Sequence, residues 1–204
     1  MSQQKPFAPS AERNKQAILD VLRRELTEHD HVLEFGSGTG QHLTHFAKAM
    51  PYVQWIPSDL SEQLPGISQW MSEAQVTNIL NPIELDLRAP ELPNIKVTAC
   101  YTSNTFHIVS WESVKQAFKC SATLLEEGEK FLSYGPYSIN GQHTSQGNEE
   151  FDQQLRSNNP ESGIRDIHKL NSLATQHGFS AARVISMPAN NQLLVWVRSN
   201  IRQT

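Results

Sequence analysis

A chain of 204 residues is long enough for one well-buried domain and too short for two of ordinary size. Its 38% hydrophobic and 19% charged residues describe a globular protein rather than a disordered or fibrous one. A formal charge of −4 argues against broad electrostatic adhesion to nucleic acid or to an anionic membrane.

In chain order, Pro9 and Ser10 open a first helix, with Ser10 as its N-cap and Glu12 in its first turn; Ile18, Val21, Leu22 and Leu26 then recur at helical spacing. Residues 31–35 read as a strand, 36–40 as a glycine turn, and 41–50 as a helix with Leu43, Phe46, Ala47 and Met50 on one side. A second strand is expected at 53–56 and a helix at 64–74, where Pro65 fits only near the start. Strands follow at 83–87 and 97–102, then a helix capped by Ser110 and stopped by Gly128, then a strand at 130–134. The polar stretch 135–147 is long for a connector and reads as the start of a lid or insertion reaching residue 163. A helix at 164–177 stops at Gly178, and 182–187, 188–191 and 192–198 read as a β-hairpin. Residues 1–204 are thus expected to form one domain, with 1–30 as an N-terminal helix and cap.

Strands alternating with helices predict an α/β fold: a mostly parallel seven-stranded sheet, helices on both faces, and a C-terminal antiparallel hairpin. In such a sheet ligands sit beyond the carboxyl ends of the strands, so chemistry is sought just after each strand. Cys100 and Cys120 form no CxxC pair and read as structural thiols. Residues 1–9 contain no apolar signal-type core, and no apolar run approaches the ~18 residues needed to span a bilayer. A cytoplasmic protein is therefore expected.

The strongest motif is Val32-Leu33-Glu34-Phe35-Gly36-Ser37-Gly38-Thr39-Gly40-Gln41-His42, with a strand before it, spaced glycines within and a helix after. Glycine permits positive φ and lets a ligand approach the backbone. A GxGxxG dinucleotide turn needs glycine where Gln41 stands, and a Walker loop needs a lysine that is missing. The nicotinamide reading is weakened accordingly. Acids follow three successive strands: Glu34, Asp59, which could accept bonds from two ribose hydroxyls, and Asp86. After the fourth strand comes Tyr101-Thr102-Ser103-Asn104-Thr105-Phe106-His107-Ile108, where His107 is a candidate acid or base. His42 and His45 share a helical face, but no third ligand follows at convincing spacing, and no metal is expected.

ExGxGxG resembles the first motif of class I methyltransferases dependent on S-adenosylmethionine (SAM). Glu12-Arg13-Asn14-Lys15, the glycine block, Trp55-x-Pro57-Ser58-Asp59, Tyr134-Gly135-Pro136-Tyr137, Phe151-Asp152, Gly163-Ile164-Arg165-Asp166 and Met187-Pro188-Ala189-Asn190-Asn191 resemble a small branch of uncharacterised methyltransferase-like proteins. Thr98 and Glu161-Ser162 depart from that branch, which usually has an acid and an aromatic there. The resemblance implies a Rossmann-like fold, SAM as cofactor and methyl transfer to an unassigned acceptor, and composition favours a small molecule over nucleic acid as that acceptor. Asn104-Thr105-Phe106-His107 lacks both prolines of the motif that amino-methylating nucleic-acid enzymes carry there, which counts against that subclass. Carried over residue by residue, the resemblance implies cofactor contacts from Asn14, Glu34, Gly36, Ser37, Gly38, Gly40, His42, Asp59, Asp86, Leu87 and Asn104. Glu34 would meet the cofactor's ammonium group and Asp86 its adenine. His107 would be catalytic, and Arg13, Tyr134, Tyr137 and Arg165 would bind substrate. A SAM-fold binding or adaptor module without turnover is the alternative. Neither the acceptor nor an oligomeric state follows from the sequence.

Overall fold

The computed structural model describes residues 5–199; the ends of the expected domain, 1–4 and 200–204, lie outside the described residues. Helix α1 (Pro9–Glu25) leads to strand β1 (His31–Phe35), helix α2 (Gln41–Ala49), strand β2 (Gln54–Asp59) and helix α3 (Leu64–Ala74). Short strand β3 (Ile83–Glu84), β4 (Ala99–Ser103), helix α4 (Trp111–Leu124) and β5 (Lys130–Gly135) follow. The hairpin β6 (Tyr137–Ile139) and β7 (Gln142–His143), helix α5 (Gln146–Asn158) and strand β8 (Arg165–Asp166) come next, then α6 (Ile167–Gln176). Strand β9 (Arg183–Met187), a 3-10 turn (Pro188–Asn190) and β10 (Asn191–Val197) complete the order.

The main sheet has seven strands in the order β3-β2-β1-β4-β5-β10-β9. β10 alone runs against its neighbours, pairing antiparallel with β5 and β9. The expected architecture is therefore present, with the last strand inserted inside the sheet rather than at its edge. Alternation along each strand serves two cores. Leu33, Phe35, Phe131 and Trp196 face α4 and α6, whereas Val32, Tyr101, Leu132 and Val195 face α1 and α2. Burial on both sides explains why these strands are nearly continuous apolar runs.

The sheet reverses direction of growth between β1 and β4, which are parallel neighbours. Crevices form at such reversals, beyond the carboxyl ends of the strands. Here those ends carry the glycine turn and Asn104.

Five expectations need correction. The first helix begins two residues early: Ala8 is the N-cap, without a side-chain cap, and Ser10 lies inside the first turn, because Pro9 has no N–H to lose at the first helical position. The third strand stops at Glu84, and Asp86 instead accepts the Arg88 N–H in a tight turn. The polar segment after β5 is not an irregular lid. It contains β6, β7 and α5, whose N-cap Ser145 accepts the Asn148 N–H at 3.1 Å. The helix expected from 164 starts at Ile167, because 165–166 pair with β6 in a second sheet of order β7-β6-β8. Asp166 is its N-cap and also accepts the Gly141 N–H at 2.7 Å. The stop expected at Gly128 is earlier, at Leu124; Gly128 (φ +89°) makes the turn into β5.

Candidate active site

The glycine turn leaves β1 with Gly36, Gly38 and Gly40 at φ of +71°, +58° and +87°. A Cβ on Gly36 would lie 2.7 Å from Thr105 Oγ1, so that residue is fixed by space as well as by conformation. The amides of Gly36 and Ser37 both donate to the Ser58 carbonyl at 3.0 Å, which ties the turn to β2. Asp59, the last residue of β2, accepts the Gly38 N–H at 2.7 Å and the Leu60 N–H at 2.8 Å. Burial raises its pKa, and those two amides hold the rise in check.

Glu34 is 1% exposed behind the turn, and its carboxyl accepts the Ser37 hydroxyl at 2.8 Å. Burial pushes its pKa up to about 7; the Ser37 bond opposes this and the Asp59 charge adds to it. Beside it, the buried Tyr101 hydroxyl and Ser103 Oγ have no hydrogen-bond partner of good geometry among the described residues.

Gly36, Gly38, Asp59, Asp86 and Leu87 line a cavity of about 520 Å3, with Ser103 and Asn104 closing its β4 side. A second cavity of about 800 Å3 adjoins it, and Asn104 and Ile108 line both. Arg13, Asn14, His107 and Tyr134 meet there, joined by Phe151 and the turn after β9. Asn104 sits at φ +57° with its N–H on the Tyr134 carbonyl at 2.8 Å. Ala189 and Asn190, at φ +57° and +56°, line the second cavity as well. Non-glycine residues held at positive φ cost free energy and gather at functional sites. A further cavity, of about 570 Å3, opens at the opposite ends of β4 and β5 between Glu25, Asp30 and Lys130, and holds none of the motif residues.

His107 is 5% exposed, and its imidazole packs edge-on to Phe151 at 5.3 Å. Burial, then the Arg165 charge, pushes its pKa down to about 4. The ring is thus neutral at pH 7 and an imidazolium there is disfavoured, so the candidate acid or base of the sequence would act only as a weak base.

Six assigned residues line neither cavity. Tyr137 is 1% exposed, with its hydroxyl on Ser133 Oγ at 2.5 Å and its N–H on Gln192 Oε1 at 3.1 Å. Arg165 donates to the carbonyls of Phe106 (2.8 Å), Val109 (2.5 Å) and Glu161 (2.8 Å). It therefore braces the segment that carries His107 and offers its fork to no substrate. His42 stacks on Phe46 at 5.3 Å and pairs its Nε2 with Asn14 Oδ1 at 2.7 Å, clamping α2 to α1. Asn14 lines the second cavity rather than the first. Glu34, Ser37 and Gly40 stand behind the first cavity; a Cβ on Gly40 would come 3.1 Å from the Ile67 backbone. Asp86 is in the first cavity, but both its oxygens are held by Arg88. Unforeseen lining residues are Ser103, Thr105 and Ile108 in the first cavity and Ser145, Asn148 and Phe151 in the second. The signal for the first group was its place directly after a strand; the second group had none beyond turn-rich composition.

A family model described as "Protein of unknown function (DUF938)" matches residues 5–198. The chain belongs to that family. Its fold is also that of solved methyltransferases. The SAM-dependent methyltransferase SibL in its apo form superposes with TM-score 0.78 at 15% identity, over 94% of this chain and 56% of that one. Human N-acetylserotonin methyltransferase in complex with SAM gives 0.77 at 12% identity, over 94% and 53%. An O-methyltransferase family protein from Burkholderia thailandensis gives 0.77 at 16% identity, over 95% and 58%. The chain spans little more than half the length of these proteins, and the fold is what it shares with them. Among the described residues no helix is long and apolar enough to cross a membrane.

The donor set suits SAM. Two glycines without Cβ atoms open the cavity wall, the Asp59 carboxylate has lone pairs left for two hydroxyls, and the Ser103 hydroxyl is an orphan at its edge. No lysine or arginine stands in the glycine turn for a pyrophosphate to meet.

Proposed function

We propose that this protein transfers a methyl group from SAM, held in the first cavity, to a small molecule held in the second. The observation that carries this reading is the junction of the two cavities at Asn104 and Ile108, because in-line displacement needs donor and acceptor held in contact with water excluded. Bound SAM supplies an electrophilic methyl on a sulfonium.

Asp59 would hold the ribose hydroxyls, Leu87 and Asp86 the adenine, and Glu34 with Ser37 the ammonium end. Ionised Glu34 is the form that suits this task. Asn104, fixed by its backbone bond to Tyr134, stands where acceptor meets donor. His107 orients the acceptor as a neutral hydrogen-bonding ring and draws a proton only weakly. The low basicity of His107 also favours, as a second reading, a SAM-binding module without turnover.

Isothermal titration calorimetry tests the cofactor. SAM and its demethylated product should bind, while NAD and ATP should not. Tight NAD binding with none of SAM would overturn the proposal. Methyl transfer scored against a metabolite panel separates the enzyme from the silent module.

A further inference from the structure

The two cavities differ in charge. Asp59, Asp86 and Glu161 line the first, with Arg88 as the only cation. In the wall of the second, Arg13 is the only Asp, Glu, Lys or Arg. Its neighbour Glu12 is already paired with Lys15, and the Arg13 side chain makes no ion pair or hydrogen bond among the described residues. Arg13 and Ser10 project from the first two turns of α1, and both line the cavity. Ala8 gives that helix no side-chain cap, so the partial positive charge of the α1 N-terminus is on the cavity side, where Ser10 stands.

A second observation points to a ligand at the same place. His107, 5% exposed, lines this cavity, and no hydrogen bond to its ring is made among the described residues. The rest of the polar wall is uncharged, made of the amides of Asn14, Asn104, Asn148, Asn190 and Asn191 with the hydroxyls of Ser10 and Ser145, while Phe151, Tyr134 and Ile108 supply apolar surface. A cavity of about 800 Å3 is of the size that takes a small molecule. An unpaired arginine, an uncapped helix start and the absence of any acid in the wall together select an anion with an apolar body.

We propose that the second cavity binds a small carboxylic acid in its ionised form, its carboxylate held by Arg13 at the start of α1 and its apolar or aromatic body packed on Phe151 and Tyr134. Its being the methyl acceptor would rest on the methyl-transfer reading; the anion site itself does not.

The test uses benzoate, phenylacetate and indole-3-acetate against their three uncharged amides, with affinities measured by calorimetry and by NMR shift perturbation, with and without S-adenosylhomocysteine. At least one acid should bind tenfold or more tightly than its amide. Arg13→Gln should shrink that preference below threefold, and Arg13→Lys should keep most of it. The thermal shift produced by S-adenosylhomocysteine serves as the fold control for both variants. Equal binding of acids and amides, no binding of any acid, or a preference that survives Arg13→Gln overturns the proposal. Arg13-dependent acid binding in a protein that ignores S-adenosylhomocysteine would sink the cofactor reading and leave the anion site standing.

Discussion

Glu34 sits on the face of β1 that alternation shares with Val32, buried behind the glycine turn, and its pKa of about 7 makes it a proton-linked contact. If it receives the cofactor's ammonium as a carboxylate, binding must drive off the proton that the free protein holds below pH 7. Affinity for S-adenosylhomocysteine should therefore rise as pH climbs from about 6 to 8, with proton release detectable in buffers of different ionisation enthalpy. Glu34→Gln should bind more weakly and without that slope; a slope that persists in the variant would assign the proton elsewhere. The two downstream acids differ in the same physical sense. Asp59 is held by two amides at the cavity wall, whereas Asp86 is largely solvated and committed to Arg88, which lowers its pKa. Charge-assisted bonds contribute roughly 1.5–3 kcal/mol each. Asp59→Ala should weaken cofactor binding by about ten- to a hundredfold on that basis, and Asp86→Ala by distinctly less. Equal losses would mean that Arg88 swings away on binding.

Among elements, the glycine turn separates two causes of glycine. At Gly36 a methyl would strike Thr105 Oγ1, whereas at Gly38 nothing lies within 4 Å, so only the positive φ is at stake. Left-handed backbone costs an alanine about 1–2 kcal/mol, and overpacking adds about 1–3 kcal/mol. Gly36→Ala should thus lower unfolding stability more than Gly38→Ala in urea titrations; the reverse order would contradict the geometry. The segment from β4 to α4 depends on a different element, β8, through Arg165. Removing that guanidinium orphans three carbonyls in a half-buried setting, so Arg165→Met should cost about 2–4 kcal/mol. Cofactor affinity would then fall only as far as the loosened His107 segment disturbs Asn104. Unchanged stability, with substrate affinity alone reduced, would restore Arg165 to the substrate role that its GIRD motif suggested.

At the scale of the whole molecule, acid sensitivity follows from two buried histidines. His42 and His107 both have pKa values pushed down to about 4 by burial, against 6.5 when exposed. Between those values the unfolded chain binds protons that the folded chain refuses, so stability falls as pH drops from 6.5 toward 4, by up to about 1.4 kcal/mol per unit for each ring. Glu34 acts in the opposite direction, since its raised pKa favours the folded state at low pH and loses that advantage as pH rises from 4.5 through 7. Among these three groups the two histidines outweigh the carboxyl, so a destabilisation remains on the acid side. His107→Gln should flatten the fall in melting temperature between pH 6.5 and 4.5; an unaltered slope would mean that His107 ionises freely.

Much of this was legible in one dimension because burial on both faces writes itself into sequence. The apolar runs of β1, β5 and β10 and the three-residue rhythm of α1 to α4 stand out, as do the glycines of a turn that must take positive φ. The acids after successive strands were legible too, since a parallel sheet brings every strand end to one side. Helix α5 was not, because the residues it buries are Asn148 and Asp152, which leave no apolar stripe. Tyr137 and Arg165 were misread for a related reason. They lie opposite each other in the β6–β8 register, and whether a polar side chain there turns to a cavity or to backbone carbonyls is settled by what packs around it. Local sequence determined the fold class and the glycine turn through periodicity and backbone freedom. Which polar groups face the ligand was decided only in three dimensions, where distant segments such as Arg13, His107 and the Pro188–Asn190 turn close on one space.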